Sequence, residues 1–316
     1  MAKDISVVHP ELRQMAKTFP LIPFRRWNIS LFRWLIRFQP KVKQPDDILV
    51  EEVYIQSQDP GHKIRLQVYK PKNLVTPSPV LVWMHGGGFF LGRPEQNDSY
   101  MFHLVQELGI VIVSVDYRLA PNHPFPTPLD DCYSTLKWVH NHAELLRIDP
   151  NRMAIGGESA GGGLTATLAQ LAHDRGEVHP VFQLLVYPML DNRTALLTDS
   201  SNTEWLTWSI ENNRLGWEVY LNQAFGLNNV PPYSVASRRT DFAGLPPAWI
   251  GVGTLDLFYE EDLAYAQRLK NCGVDCETMV ILGAFHGFDQ FDPKLNVVQD
   301  FRESQIRALR KHLFLS

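Results

Sequence analysis

Residues 153–162, MAIGGESAGG, contain the pattern that decides the fold. A short apolar run ends in Gly157-Glu158-Ser159-Ala160-Gly161, and the small residues that follow favour a helix. This is G-x-S-x-G in a strand–turn–helix context, where the glycines leave room for a sharp turn that holds the Ser159 hydroxyl out at the strand end. Glycine-rich turns after strands also bind phosphates, so the pattern alone indicates either a nucleophile or a tight structural turn.

Short apolar runs recur on both sides of this pattern. They lie at residues 80–84, 110–115, 153–155, 181–186, 248–252 and 278–282, with helical stretches at 99–108, 129–146, 160–174, 260–271 and 295–313. Continuous apolar runs are typical of parallel strands buried on both faces. Their alternation with helices predicts an α/β fold with a mostly parallel central sheet and helices on both faces. Residues 51–56 and 62–70 alternate apolar and polar positions, which predicts a β-hairpin at one sheet edge.

One long segment interrupts the alternation. Residues 191–235 are rich in Asn, Trp and Ser, and long insertions in α/β enzymes are usually lids or binding elements. We therefore predict an N-terminal part of a helical cap at 1–46 and the first part of the core at 47–190. The cap insertion is predicted at 191–235 and the second part of the core at 236–316.

Residues 25–38 carry a strong helical pattern outside the predicted core. One helical face groups the side chains of Trp27, Leu31, Trp34, Leu35 and Phe38, and the arginines of the segment lie elsewhere on the helix. An aromatic face flanked by arginines fits a helix that lies on a membrane surface. A cap helix over an apolar pocket gives the same pattern and is the interpretation that we favour. We predict that Trp34 and Phe38 help to wall a substrate pocket.

The composition narrows the class of protein. With 45% hydrophobic and 20% charged residues, the 316-residue chain has the composition of a globular domain. Its formal net charge of −4 gives no indication of a nucleic-acid partner. The thiols of Cys132, Cys272 and Cys276 fit neither a disulfide framework nor a metal site, so we expect reduced cysteines and no metal. No apolar stretch approaches the ~18 residues of a membrane span, and no signal-peptide pattern is visible. We expect a cytoplasmic protein without stable membrane insertion.

A second glycine cluster, His85-Gly86-Gly87-Gly88-Phe89, follows the apolar run at 80–84. Consecutive glycines let backbone N–H groups approach a ligand atom closely, and an acyl-transfer intermediate needs two or three such donors for its oxyanion. We predict that the N–H groups of Gly87, Gly88 and Ala160 form this oxyanion hole and that Phe89 contacts the substrate. The structural alternative is a flexible loop.

A serine nucleophile needs a base, and the base needs a group that orients it. Asp256 and His286 each follow a predicted strand, as Ser159 does, and the carboxyl ends of parallel strands converge. The order Ser, Asp, His is that of α/β-hydrolases. We predict Ser159 as nucleophile, His286 as base and Asp256 as the residue that orients the base. Competing acids in the next helix are expected to face solvent, namely Glu260, Glu261 and Asp262.

Four motifs occur in order along the chain. They are HGGGF at 85–89, DYRLAPNHPFPTPLDD at 116–131, GESAGG at 157–162 and HGF at 286–288. By these motifs the chain resembles the hormone-sensitive-lipase-like family of esterases and lipases, within the α/β-hydrolase fold. The resemblance implies a carboxylesterase that acts on short to medium acyl esters without a cofactor. It also implies a cap built from the N-terminal segment and the insertion, and it allows a homodimer.

Two positions depart from the pattern of the family. Glu158 stands before the nucleophile where Asp is frequent, and its extra methylene is expected to shift a supporting hydrogen bond. Leu257 follows Asp256 where a proline is usual, which leaves the loop of Asp256 less constrained.

The charged residues of the second motif suggest a structural role. Asp116, Arg118 and Asp131 are expected to form a buried ion-pair network that braces the neighbouring glycine loop. His85 and His123 are likewise expected to support loops rather than to take part in catalysis.

Two other functions share the same residues. The same triad cleaves amides or aryl formamides, because the acyl-enzyme chemistry is common to all three substrate classes. A few relatives of the family bind a small hormone without catalysis, and in those the catalytic histidine is replaced. The presence of His286 favours hydrolysis over binding alone.

Overall fold

The computed structural model describes residues 4–18, 22–40, 42–198 and 207–314. Within these ranges eight strands form a single sheet. The strands are β1 (Ile48–Gln56), β2 (Lys63–Pro71), β3 (Ser78–Met84), β4 (Val111–Asp116), β5 (Ile148–Glu158), β6 (Phe182–Val186), β7 (Ala248–Gly253) and β8 (Cys276–Ile281). Their spatial order is β1-β2-β4-β3-β5-β6-β7-β8. Strand β2 runs antiparallel to β1 and β4, and every other neighbouring pair is parallel.

The helices connect and flank these strands. They are α1 (Arg13–Thr18), α2 (Ile29–Ile36), α3 (Asp98–Leu108), α4 (Thr127–Asn141), α5 (Ala143–Leu146), α6 (Ala160–Arg175), α7 (Ile210–Leu221), α8 (Tyr259–Asn271) and α9 (Asn296–Phe314). Helices α3 and α6 each end at a glycine in the left-handed region, Gly109 and Gly176, which is a common way to close a helix. Each helix in the described ranges is too short or too polar to cross a membrane.

Alternate side chains of the central strands enter two separate cores. In β3, Val80 and Val82 pack in the core that includes α4 and α6, whereas Leu81 and Trp83 pack in the core that includes α3 and α9. Successive strand side chains point to opposite faces, so helices cover both faces of the sheet. The predicted α/β fold with a mostly parallel sheet is confirmed, and so is the edge hairpin, in which Gln56 pairs with Lys63.

The N-terminal residues pack in two different places. Val8 and Leu12 belong to the core next to α9, and the N–H of His9 donates to the Gly283 carbonyl at 2.9 Å. By contrast, the N–H of Phe24 donates to Asn212 Oδ1 on α7 at 3.0 Å, and Arg26 pairs with Glu218 on the same helix at 2.9 Å. The two parts of the predicted cap segment 1–46 therefore have different contacts, because Val8 and Leu12 pack next to α9 whereas Phe24 hydrogen-bonds to the insertion. Residues 1–3, 19–21, 41 and 199–206 of the predicted cap segments lie outside the described ranges.

Helix α2 is shorter than the predicted helix at 25–38, and it turns a different face inward. Ile29 is buried, Phe32 and Ile36 pack against the same core, and Arg33 donates to the carbonyl of Phe90 at 2.9 Å. The predicted inward face is instead solvent-exposed, with Trp27 80%, Leu31 50%, Trp34 54%, Leu35 45% and Phe38 67% exposed. The segment is apolar on two sides, so the sequence periodicity did not decide which side packs.

This orientation corrects the predicted pocket wall. Trp34 and Phe38 contact each other edge-on, with 4.7 Å between ring centroids, and more than half of each side chain is exposed on the outer surface of α2. They therefore do not line a buried pocket in this structure.

Candidate active site

Ser159 occupies a strained turn between β5 and α6. Its φ of 53° and ψ of −121° lie in a region that residues with a side chain adopt only at a cost. The N–H of Ser159 donates to the Val186 carbonyl, and its carbonyl accepts from the Met189 N–H, both at 2.9 Å. A Cβ on Gly161 would lie 2.1 Å from the Met84 carbonyl oxygen, so the turn requires glycine there. The result is a hydroxyl held beside the first turn of α6.

The structure brings the three predicted catalytic residues together. His286 Nε2 lies 2.9 Å from Ser159 Oγ, and His286 Nδ1 lies 2.8 Å from Asp256 Oδ2. All three residues are buried. The second oxygen of Asp256 accepts the Phe258 N–H at 2.9 Å, which fixes the carboxylate. This geometry allows His286 to accept a proton from Ser159 while Asp256 orients the ring.

Hydrogen bonds between loops hold Asp256 without the proline that the family usually places after it. The N–H of Leu255 donates to the carbonyl of Ala284 at 3.0 Å, which ties the aspartate loop to the histidine loop. The N–H of Asp256 donates to the Gly253 carbonyl at 3.1 Å, and the N–H of Tyr259 donates to the Asp256 carbonyl at 3.2 Å. Hydrogen bonds to neighbouring residues therefore constrain the loop, in place of a proline ring at position 257.

The glycine loop presents backbone N–H groups close to this centre. Gly87 has a φ of 122°, and its carbonyl accepts from the Leu91 N–H at 2.8 Å, which closes a tight turn. The N–H groups of Gly87 and Gly88 make no hydrogen bond within the described ranges. Ala160 is the first residue of α6, so its N–H has no acceptor one turn earlier in the helix. The predicted oxyanion donors are thus available, although their role remains a prediction.

Phe89 has a different position from the one expected. Its ring is 2% exposed, stacks on Tyr220 with 4.0 Å between ring centroids, and lies 5.3 Å from the ring centroid of Trp217. Both partners belong to α7. The ring therefore fastens the glycine loop to the insertion, and we revise the predicted substrate contact to a positioning role.

Sequence reasoning missed Trp208, which lies over the glycine loop. A Cβ on Gly88 would lie 2.3 Å from Cη2 of Trp208, and the indole is 6.5 Å from the His286 ring between centroids. The neighbouring Thr207 donates its hydroxyl proton to the His286 carbonyl. The insertion thus contributes directly to the surroundings of His286. The available signal was the tryptophan content of the insertion, which did not indicate which tryptophan lies at the glycine loop.

Glu158 braces two parts of the site at once. Its carboxyl oxygens accept from the Gly86 N–H at 3.3 Å, from the Gln96 side chain at 3.0 Å and from the side chain of Gln290. Gly86 belongs to the glycine loop, and Gln290 follows the loop that carries His286. Burial raises the pKa of Glu158 above its usual value, although hydrogen bonds oppose this shift. The longer side chain at this position therefore links both loops.

The model of the family described as the alpha/beta hydrolase fold matches residues 81–290. The chain belongs to the α/β-hydrolase family. Over 312 residues this hydrolase is 33% identical to the carboxylesterase NlhH of Mycobacterium tuberculosis, with 97% of the chain and 96% of that protein covered. The family predicted from the four motifs is thereby confirmed.

Solved structures give the same result. A bacterial heroin esterase superposes on this α/β-hydrolase with a TM-score of 0.89 at 33% identity, covering 98% of this chain and 99% of the other. The esterase LipW from Mycobacterium marinum gives a TM-score of 0.86 at 31% identity, covering 99% and 98%. The likeness therefore extends over the core and the inserted segments alike.

The predicted ion-pair network of this α/β-hydrolase is confirmed only in part. Arg118 pairs with the buried Asp131 at 2.7 Å and with Asp59 at 2.5 Å. Asp116 instead pairs with Arg65 of β2 at 2.8 Å, because the two residues are directly opposite in the antiparallel β2–β4 pair. The register of this pair is a property of the sheet and not of the motif.

His85 supports the glycine loop, as predicted. It is fully buried, stacks on Tyr117 with 4.3 Å between ring centroids, and places Nδ1 2.8 Å from the Gly86 carbonyl. Burial lowers the pKa of His85 below its usual value, which favours a neutral ring.

Two of the competing acids do not face solvent. Glu260 is exposed as expected, but Glu261 accepts the N–H groups of Leu190 and Asp191 at 2.6 and 3.1 Å. Asp262 is completely buried, and neither of its carboxyl oxygens has a hydrogen-bond partner within the described ranges. Burial, together with the neighbouring Glu261 and Asp256, raises the pKa of Asp262 well above its usual value.

We expect Asp262→Asn to stabilise this α/β-hydrolase by an amount that grows as the pH rises above about 4, where aspartate ionises in the unfolded chain. The folded protein keeps the Asp262 proton at pH values where the unfolded chain has lost it. The unfolded state then binds fewer protons, so the free energy of unfolding of the native protein falls as pH rises, by up to about 1.4 kcal/mol per pH unit. Thermal unfolding across this pH range measures the gain. Glu260→Gln is the exposed control, and a gain independent of pH would contradict the buried, protonated carboxyl.

Proposed function

We propose that this protein hydrolyses carboxylic esters through an acyl-enzyme, with Ser159 as nucleophile, His286 as base and Asp256 as the group that orients the base. The hydrogen-bonded path from Asp256 through His286 to Ser159 carries the proposal, since each link is below 3 Å. The ester-hydrolase names of the carboxylesterase and of the two esterases described above support the same reaction class.

Acylation follows from the positions of these groups. His286 Nε2 accepts the proton of Ser159 as Oγ attacks the ester carbonyl carbon, and the carbonyl electron pair moves onto the oxygen. The N–H groups of Gly87, Gly88 and Ala160 are the proposed donors to that oxyanion. The N-terminus of α6 adds a favourable field at the same place. When the carbonyl re-forms, the C–O bond to the alcohol breaks, and His286 returns its proton to the leaving oxygen.

Deacylation repeats these steps with water in place of the serine. His286 removes a proton from a water molecule, the hydroxide attacks the acyl carbon, and the same backbone donors hold the second oxyanion. Collapse of this intermediate breaks the bond to Ser159 Oγ, which regains a proton from His286. The carboxylic acid then leaves, and no group outside the chain and water takes part in this scheme.

The geometry favours catalysis over binding alone. A binder has no need for a strained serine that is hydrogen-bonded to a histidine, because such backbone strain is usually associated with function. The amidase or arylformamidase alternative uses the same residues, and it is tested by offering anilides and aryl formamides beside the esters.

We propose that Trp208 limits the acyl chain. Its ring lies against the glycine loop and near His286, where an acyl group attached to Ser159 would begin. A bulky wall at this point leaves room for short to medium chains. We therefore propose Trp208 as the residue that contacts the substrate, in place of the exposed Trp34 and Phe38.

A series of p-nitrophenyl esters tests this reaction and its chain-length limit. We expect the highest kcat/KM between acetate and hexanoate and a lower value for laurate. Trp208→Ala should raise the laurate-to-acetate ratio about tenfold, because each additional buried methylene contributes about 0.8 kcal/mol. Trp138→Ala, on α4, is the matched control and should leave the ratio unchanged. An equal ratio in both variants would contradict the role of Trp208, whereas an inactive wild-type protein would contradict ester hydrolysis itself.

We further propose that residues 22–40 and the insertion together form the cap, which the contacts of Phe24 and Arg26 with α7 support. A cytoplasmic location is supported by the free thiols of Cys132, Cys272 and Cys276. The homodimer stays a prediction, to be tested by light scattering.

A further inference from the structure

Helix α2 is apolar on two opposite sides. The inner side carries Ile29, Phe32 and Ile36, which pack on the protein core. The outer side of α2 and of the turns that flank it carries five side chains that we call the aromatic patch, namely Trp27, Leu31, Trp34, Leu35 and Phe38, each between 45% and 80% exposed. Exposed apolar patches rimmed by polar residues often mark sites where a protein contacts another protein or a membrane.

The segment around the patch is strongly basic. Residues 22–43 contain six lysine and arginine residues and no aspartate or glutamate. The whole chain has a formal net charge of −4, so removing these six positive charges leaves −10 for the remainder. The positive charge is therefore concentrated around the aromatic patch on an otherwise acidic molecule.

Most of this charge is not neutralised by the protein. Within the described ranges, Arg26 makes the one ion pair from this segment to an acid, with Glu218. Arg33 donates to the carbonyls of Phe90 and Ala120 and to Asn122, which are uncharged partners. Arg37 has no ion-pair partner in the same ranges. Arg33 is thus held against the protein, whereas Arg25 and Arg37 have no acidic partner within the described ranges and can face an anionic surface.

A cavity of about 380 Å³ lies along the flank of α2. Four guanidinium groups and one carboxylate line it, from Arg33 and Arg37 of the α2 segment and from Arg65, Arg93 and Asp116 of the core, and Asp116 pairs with Arg65 at 2.8 Å. Arg65 and Arg93 share Glu95, at 2.7 and 2.6 Å, but the two α2 arginines bring uncompensated charge to the cavity. An anionic headgroup beside the aromatic patch would find several donors there.

We propose that α2 docks the protein reversibly onto an anionic lipid surface, with the aromatic patch at the level of the headgroups and the arginines against the lipid phosphates. Tryptophan and phenylalanine on one face with arginines beside them is the composition of helices that lie in a membrane interface. Anionic lipids attract basic segments by about 1 kcal/mol per residue near the surface. The role is additional to ester hydrolysis and does not depend on it.

Charge argues against a second copy of the chain as the occupant. A symmetric dimer through the aromatic patch would bring two identical basic segments together, since the same surface is used on both subunits. Like charges facing each other oppose such an interface. An anionic lipid surface is complementary in both hydrophobicity and sign.

Docking through α2 would hold the catalytic centre close to the lipid. Arg33 connects α2 to the carbonyls of Phe90 and Ala120. Phe90 follows the glycine loop, and its ring lies 6.0 Å from the Trp208 ring between centroids. Helix α2 is thereby attached to the segment that carries the proposed oxyanion donors.

Vesicle co-sedimentation tests the docking. The probes are vesicles of phosphatidylcholine alone and vesicles in which about one lipid in three is phosphatidylglycerol. We expect binding to the anionic vesicles, weak binding to the neutral ones, and loss of binding at high salt because salt screens the attraction. Ser159→Ala should bind equally well, which separates docking from hydrolysis. Absence of binding, or equal binding to both kinds of vesicle, would overturn the proposal.

Two pairs of substitutions separate the contributions. Trp27→Ala with Leu31→Ala should reduce binding to the anionic vesicles at least tenfold, whereas Leu145→Ala, exposed on α5, should not. Arg25→Gln with Arg37→Gln should weaken binding about 30-fold and reduce its salt dependence, with Arg307→Gln on α9 as control. Equal losses in the controls would overturn the proposal. A different outcome would also overturn the proposal. In that outcome the wild-type protein does not bind vesicles, and light scattering shows a dimer that the Trp27 and Leu31 substitutions dissociate.

Discussion

Ser159→Ala is expected to fold normally and to lose ester hydrolysis by about 10⁴-fold or more, because members of a catalytic triad act as a unit. The serine hydroxyl accounts for one hydrogen bond, to His286 Nε2, whereas the backbone of the turn is held by Val186 and Met189. Removing the hydroxyl therefore removes the nucleophile and leaves the turn intact. Hydrolysis of p-nitrophenyl acetate and thermal unfolding measure the two effects separately.

Ser134→Ala is the matched control for this substitution. Ser134 lies on α4 and donates to the carbonyl of Asp130 within the same helix at 2.7 Å. The Ser134→Ala substitution also removes one hydroxyl oxygen but lies outside the catalytic centre. The activity of this variant should therefore equal that of the wild type. An Ser159→Ala protein that retains even about a tenth of the wild-type rate would exclude Ser159 as the nucleophile.

Gly87→Ala is expected to reduce kcat by about 10²- to 10³-fold with a smaller change in KM, because oxyanion donors act mainly in the transition state. Gly87 has a φ of 122°, and a Cβ there would lie 2.3 Å from the Leu91 carbonyl oxygen. The turn must open to admit this atom, and its N–H groups then move away from the reacting carbonyl. Steady-state kinetics with a short acyl ester measure both constants.

Gly109→Ala controls for backbone strain in this experiment. Gly109 also has a positive φ, at 65°, but a Cβ there meets nothing within 4 Å. The substitution should cost about 1 kcal/mol of stability and leave kcat unchanged. If both variants lose stability and neither loses kcat, the loop around Gly87 does not supply oxyanion donors.

The positions of the three proposed catalytic residues could be predicted because each one follows a strand. Ser159, Asp256 and His286 come after β5, β7 and β8, and parallel strands bring their carboxyl ends to one edge of the sheet. Continuous apolar runs in the sequence identified those strands. The sequence positions of the strands and their parallel direction were therefore sufficient to predict that the three residues lie close together. No knowledge of side-chain contacts was needed.

Contacts between distant segments could not be predicted in this way. Trp208 reaches the glycine loop across the cap, and the Asp116–Arg65 pair depends on strand register. Helix α2 offered two apolar faces, and only the position of Arg33 under the glycine loop decides between them. Asp262 was expected in solvent because charged residues are rarely buried without a partner. Each of these errors arose where the tertiary fold decides among locally equivalent choices.

The carboxyl of Glu158 couples the glycine loop to the loop that carries His286. It is attached to Gly86 on one side and to Gln290 on the other. A substitution in either loop therefore affects the hydrogen bonds of the other. We expect the free-energy effects of paired substitutions to be non-additive. When new substrate ranges are engineered, the two loops should therefore be treated as one unit. Libraries that vary them jointly, with the residue at 158, will reach sequences that stepwise substitution does not.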